Sequence, residues 1–254
     1  MSDMKLGLQM WSIHDICIQE GMASAIKKVK EMGYNGFEYA LGDSITLKER
    51  CNTDAEEAVK ILREYDVKAL GAHIPFEPML IDPKPVLEEC LKLEIPYAAV
   101  GPVFWGDRAT YAEQKETYDR LKEIASLFHK NGIQLQVHCS AFGYLKDYKG
   151  RYVVEGMLEE AGLENLQPEF DTAWMICGGV DPVEMLKKYE GHVDIRQQKI
   201  RLQFLYQLQC IEPVAGPADK LEADTRPVDE LADRAEQLLF IVRDHNAQKV
   251  LFVH

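Results

Sequence analysis

Hydrophobic positions along the first two hundred residues follow two alternating rhythms. Short apolar runs at 6–11, 36–39, 68–73, 97–100, 134–138 and 166–171 have the length of strands. Between them lie longer segments with apolar residues every three or four positions, as on an amphipathic helix. In the first, 22–32, Ala25, Ile26, Val29 and Met32 share one face, and Gly33 follows where a C-terminal cap belongs. A second is read from Thr53 as N-cap to Tyr65, with Glu56 three residues on completing a capping box. Pro83 stands near the start of a helix over 83–93. A long helix spans 111–130 and stops at Asn131-Gly132. A short one ends at Ala161, and Asp181 caps another over 182–189. Residues 144–152 read as an excursion with a turn at Lys149-Gly150. Val193 begins a seventh predicted strand, 229–245 is predicted as a helix, and 250–253 as an eighth strand.

Eight strands with intervening helices predict a parallel α/β fold, best read as a closed (β/α)8 TIM barrel. An open doubly wound sheet is the alternative, disfavoured because no glycine-rich phosphate loop follows the first strand. The 254 residues suit a single domain over 1–254. From residue 196 the texture changes. The last 59 residues hold one glycine, Gly216, against sixteen before, and seven glutamines against six. Either a long loop follows the seventh strand, or the C-terminal quarter is rewired. An eighth helix is absent from the pattern. The outward residues Leu251 and Val253, with Leu6, Leu8 and Met10 of the first strand, are then expected to lie bare, which suggests a homo-oligomer or a chain that continues.

Composition narrows the function. The net charge is −13, and no dense Lys/Arg cluster offers phosphates a basic stripe, so nucleic acid is not an expected partner. No apolar run reaches the roughly 18 residues of a membrane span. No signal-peptide layout opens the chain, and cytoplasm is the default expectation. The six cysteines, Cys17, Cys51, Cys90, Cys139, Cys177 and Cys210, form no CxxC pair and read as reduced thiols rather than a zinc ribbon. No Gly-x-Ser-x-Gly elbow supports a serine hydrolase. Cys139 and His138 are strand neighbours that point to opposite faces.

The stretches LGLQMWS (6–12), KKVKEMGYNGFEY (27–39) and AHI (72–74), and above all NLQPEFDTAWMICGGVDPVEMLKKYEGHV (165–193), resemble the sugar phosphate isomerase/epimerase family, the xylose isomerase-like barrels. The resemblance covers about residues 4–195, with an echo at KVLFVH. It implies one divalent ion, Mn²⁺ or Mg²⁺, held at the C-terminal mouth of the barrel by two Glu, one Asp and one His. Carried over residue by residue, Asp171 keeps the strand-six ligand. The strand-five Glu position is Gly143, the strand-seven His is Gln197 and the strand-eight Glu is His254. The implied metal set is therefore Asp171, Gln197 and His254, having lost two negative charges, so that the ion is held weakly or not at all. The implied proton-transfer groups are Glu169, two residues before Asp171 on the same strand face, and His254.

Other strand-end residues complete the expected site. The resemblance gives His73 a contact to a substrate hydroxyl, and His138 survives from the strand-five motif. Glu38 can accept from sugar hydroxyls or form a structural ion pair. Trp11 can stack on a sugar or, as is commoner for an aromatic taken alone, pack in the core. Trp174, and Phe104-Trp105, can wall the mouth. His14, His129, His192 and His245 receive no role. Trp11, Glu38, His73, His138, Asp171, Gln197 and His254 are expected to ring one cavity. The leading functional expectation is an isomerase or epimerase of a small sugar, sugar phosphate or polyol, working by proton transfer beside a carbonyl. A non-catalytic sugar-binding barrel with a degenerate metal site is the alternative. An apurinic endonuclease-like metal hydrolase is disfavoured by charge and eroded ligands.

Overall fold

The computed structural model describes residues 5–101, 111–189, 239–243 and 249–253, with side chains over 7–101 and 112–189. Six parallel strands carry the architecture: β1 (Lys5–Gln9), β2 (Gly36–Ala40), β3 (Lys68–Ile74), β4 (Tyr97–Val100), β5 (Gln134–His138) and β6 (Leu166–Glu169). Each pairs with the next in sequence order. β8 (Lys249–Val253) runs parallel beside β1, and β7 (Leu239–Arg243) lies beyond it, so the sheet order is β6-β5-β4-β3-β2-β1-β8-β7. That is the order met on going round a TIM barrel, with its seam between β6 and β7. Every residue of β2, β4 and β6 is buried, as parallel strands covered on both faces require.

The helices between strands are α1 (His14–Gln19), α2 (Met22–Glu31), α3 (Leu47–Cys51), α4 (Ala55–Glu64), α5 (Phe76–Ile81), α6 (Pro83–Lys92), α7 (Tyr111–Lys130), α8 (Val153–Ala161), α9 (Thr172–Cys177) and α10 (Pro182–Lys188). The apolar stripe read for α2 is its buried face, with Ala25, Ile26 and Val29 wholly inside, while Met32 just past its end is exposed. Gly33 takes φ +90°, the left-handed conformation that ends the helix. Among the described residues no helix is long and apolar enough to cross a membrane. Cys17, Cys51, Cys90 and Cys139 are buried free thiols.

Four expectations change. The N-cap of α4 is Asp54, not Thr53, whose hydroxyl donates to the Cys51 carbonyl instead. A capping box does form one helix earlier, between Thr46 and Glu49 of α3. The helix predicted over 229–245 contains a strand, β7 (Leu239–Arg243), antiparallel to β8. Leu8 and Met10 are buried rather than bare. The strand expected from Val193, and the side chains of Leu6, Leu251 and Val253, lie outside the described residues.

Candidate functional site

The site begins with an irregularity. Between Phe37↔Ala69 and Glu38↔Gly71 the β2–β3 register slips by one residue, leaving Leu70 as a bulge. Side chains alternate along a strand, so this extra residue changes the parity of everything after it. Without it, Glu38 would sit opposite Leu70, and His73 would fall on the other face. With it, Ala40 pairs with His73 and Glu38 with Gly71. A Cβ at position 71 would lie 3.0 Å from the Tyr97 carbonyl, so the glycine makes room for the neighbouring strand, and it would sit in ordinary contact, 3.6 Å, with Glu38 Oε1.

Across the barrel, β5 and β6 pair His138 with Glu169. The four side chains converge. His73 Nε2 lies 2.9 Å from Glu169 Oε1 and 3.5 Å from Glu38 Oε2, and the His73 and His138 rings are 4.8 Å apart. His138 Nε2 is 3.6 Å from Asp171 Oδ2. The other oxygen of Asp171 caps α9, accepting from the amides of Ala173 at 2.7 Å and Trp174 at 3.1 Å. These residues stand at or just past the C-terminal ends of β2, β3, β5 and β6, where barrel chemistry sits.

Burial opposes charge on both glutamates, and unequal contact with His73 drives them apart. Burial pushes the Glu38 carboxyl up to about 8, against the opposing pull of His73. Burial also opposes charge on Glu169, but there the adjacent His73 wins and holds the carboxyl below its ordinary value. Burial alone would lower His73, whereas the flanking Glu38 and Glu169 raise it to about 9. The three groups titrate as one coupled cluster, in which charge is favoured on Glu169 and His73 and disfavoured by burial on Glu38. Environments that push paired carboxyls apart create an acid and a base from one residue type.

The same trio can hold a cation. His73 Nε2 stands 2.9 and 3.5 Å from oxygens of Glu169 and Glu38, near the roughly 3–3.6 Å ligand spacings of a site with bonds of about 2.0–2.2 Å, and one ligand atom from each of the three residues lies within 4.8 Å of the others. Glu169 Oε2 is buried with no hydrogen-bond partner among the described residues, as is Gln9 Oε1. A wholly buried carboxylate oxygen without a donor is costly, and a metal or a substrate hydroxyl would relieve it.

Of the sequence-derived site residues, Glu38, His73, His138, Glu169 and Asp171 come together. Trp174 packs half-buried against the core beside them. Trp11 is 61% exposed, which removes the core reading for it; it stacks on His14 and lies under Arg50. Gln197, His254 and Phe104-Trp105 lie outside the described residues. Sequence reasoning assigned Glu38 and His73 to substrate and Glu169 to proton transfer, and did not see them as a ligand trio, because that depends on the bulge at Leu70. Gln9, whose side chain hydrogen-bonds Glu38, and Arg50 were also missed. Gln9 had a signal, an inward polar position on β1.

No family model matches the sequence, and no curated protein matches it. Solved structures do. Two sugar phosphate isomerase/epimerase structures from Parabacteroides distasonis superpose with TM-scores of 0.61 and 0.63. The first is 18% identical over 91% of this chain and 97% of its own; the second is 15% identical over 76% of each. The IOLI protein with a bound zinc atom aligns at a TM-score of 0.57 and 15% identity, over 74% of this chain and 70% of its own. Further structures of the same fold are described as a probable 3-DHS dehydratase from Bacillus anthracis and a family 2 AP endonuclease from Brucella melitensis. The described chain thus has the fold of the sugar phosphate isomerase/epimerase structures and the wider group of xylose isomerase-like TIM barrels.

Proposed function

We propose that the protein is an isomerase or epimerase of a small sugar, sugar phosphate or polyol, which moves a proton at the carbon beside a carbonyl. The observation that carries this reading is the buried convergence of Glu38 and Glu169 on His73, 3.5 and 2.9 Å from its Nε2, with Glu169 Oε2 left without a hydrogen-bond partner among the described residues. Glu169 Oε2 is the base that takes the proton from carbon. The His73 imidazolium or the Glu38 carboxyl gives one to the developing enolate oxygen. Isomerisation is completed when Glu169 returns its proton to the neighbouring carbon while the hydroxyl there gives its proton back to that donor; epimerisation instead needs the proton delivered to the original carbon from the opposite face by a second group, the oxygen's proton going back to its donor and Glu169 releasing its own to solvent. A metal, were it held by Glu38, His73 and Glu169, would displace their protons and supply Lewis-acid polarisation of the carbonyl in place of their proton donation. Each residue offers it one atom, so Glu169 keeps a second oxygen for the proton. The mixed nitrogen and oxygen donors suit Zn²⁺ or Mn²⁺ better than Mg²⁺. The zinc of the IOLI structure and the isomerase/epimerase descriptions of the P. distasonis structures support the same reading.

A second reading, a barrel that binds a sugar without turning it over, draws on Gly143. This position, where the resemblance expects a metal-binding Glu, is a buried glycine in a single 3-10 turn (Ala141–Tyr144) after β5 and offers no carboxylate. Deuterium uptake from D2O by a panel of plain and phosphorylated pentoses and hexoses separates the two. The enzyme reading expects deuterium at the carbon beside the carbonyl, reduced at least about 100-fold by Glu169→Gln. Binding with no exchange selects the second reading, and neither binding nor exchange across the panel refutes both.

A further inference from the structure

Arg50 differs from its counterparts. The other arginines whose side chains are described, Arg63, Arg120 and Arg151, each face a carboxylate. Arg50 has no ion pair among the described residues, in a chain of 42 acidic and 29 basic side chains. Its Nε and Nη2 are buried without an acceptor. The guanidinium carbon sits 5.2 Å above the Trp11 ring, which accounts for the covered face but neutralises little of the charge. Nη1 points past Gly42, where an added Cβ would stand 3.3 Å away, and Gly42 adopts φ +62° to bring the backbone that close.

The mounting is firm. Arg50 lies on α3, whose first turn is closed by the Thr46–Glu49 capping box and by Glu89 of α6, which accepts from the Leu47 amide at 2.8 Å. The place is informative too. Trp11 follows the end of β1 and Gly42 follows the end of β2, so the guanidinium overlooks the same C-terminal mouth as Glu38 and His73. Gly42 is four residues beyond Glu38, a span of at most about 13 Å along extended chain. A planar cation held on an indole, with its nitrogens short of acceptors, suits a phosphate or carboxylate in a bidentate grip.

We infer that Arg50, backed by Trp11, is the subsite for the anionic end of the substrate, a phosphate ester or a sugar-acid carboxylate, while the Glu38–His73–Glu169 cluster takes the carbonyl end. The identity of the carbonyl end rests on the function proposed above; the anion subsite itself does not need turnover to be detected.

The test uses the full chain and four probes, inorganic phosphate, ribulose 5-phosphate, ribulose and ribonate, titrated by calorimetry and followed by tryptophan fluorescence. Inorganic phosphate should bind, and ribulose 5-phosphate should bind at least tenfold more tightly than ribulose. In Arg50→Gln that ratio should fall about tenfold and phosphate binding should be lost. In Arg50→Lys, which keeps charge but not the planar fork, the ratio should fall less, and this variant decides the matter if the glutamine form fails to fold. Arg50-dependent binding of ribonate alone assigns a carboxylate instead of a phosphate. Anion binding equal in the wild type and both variants, or no anion preferred over ribulose, overturns the subsite and leaves Arg50 as packing for Trp11. Arg50-dependent phosphate binding without deuterium exchange in any sugar would sink the isomerase reading while leaving the subsite standing.

Discussion

His73 illustrates how one side chain sets the state of its neighbours. It stabilises charge on Glu169, which it touches, and leaves Glu38, slightly farther away, to the effect of burial. If Glu38 serves as a proton donor, exchange at the carbon beside the carbonyl should fall as pH rises past about 8, where Glu38 loses its proton. Glu38→Gln should remove that arm of the profile; an unchanged alkaline limb would take Glu38 out of the reaction. Asp147 shows the opposite sign. Burial opposes its charge, but Arg151 and the Lys149 and Arg151 amides outweigh burial and hold the carboxyl below its ordinary value. A carboxyl lower in the folded than in the unfolded chain stabilises above the ordinary carboxylate range and loses that contribution as pH falls through the depressed value. Asp147→Asn should therefore cost about 2–4 kcal/mol near neutrality. The gap to wild type in urea melts should narrow below about pH 4. A constant gap across pH would mean that the loss is packing, not charge. Little of this was legible beforehand. Glu38, His73 and Asp171 stood out as polar residues ending apolar runs, whereas the partners of Arg50 and Asp147 are decided by loops whose course no periodicity records.

Elements were legible where one signal dominated. β5 and α7 match their predicted spans because alternation and helical spacing are each unbroken there. Short helices such as α3, α5 and α9 have too few turns to show a period and were not foreseen. β7 was read as helix because Leu238 to Val242 is a continuous apolar run, which fits a buried helix as well as a strand. The contact of α8 with α7 gives a prediction at this scale. Gly156 lies mid-helix, where alanine would ordinarily gain about 1 kcal/mol. A Cβ there would stand 2.5 Å from the Tyr118 hydroxyl and 2.6 Å from Asp147 Oδ2. Tyr118 is buried and donates to that same Asp147 oxygen, so it cannot swing aside without breaking the bond. Gly156→Ala should thus destabilise by about 1–3 kcal/mol in denaturant melts. Stabilisation instead would show that α8 is free to shift off α7.

At the scale of the molecule, the order of β1 to β6 and the last strand, β8, followed from the sequence, because there each apolar run alternates with an amphipathic segment. The reversal of β7 and the bulge in β3 did not, since both depend on which strand lies alongside. The bulge bears on the candidate cation site. Its three ligands come from β2, β3 and β6, and 131 positions separate Glu38 from Glu169, so an unfolded chain does not present them together. Any ion bound there is bound by the assembled barrel and stabilises it by mass action, by about 2.7 kcal/mol at a hundredfold excess over Kd. Binding also has a proton cost, because Glu38 and His73 both have raised proton affinity and must be deprotonated to ligate. Zn²⁺ or Mn²⁺ should accordingly raise the melting temperature of the full chain. Calorimetry in two buffers of different ionisation enthalpy should report at least one proton released per ion at pH 7. Glu169→Gln should abolish both effects. Asp171→Ala, which removes the α9 cap and the partner of His138 but none of the trio, should lower the starting stability while leaving the metal-induced rise in place. If the rise vanishes with Asp171 and survives in Glu169→Gln, the ion sits one step nearer the mouth, on the Asp171 side of the cluster, and the trio is an acid–base device alone.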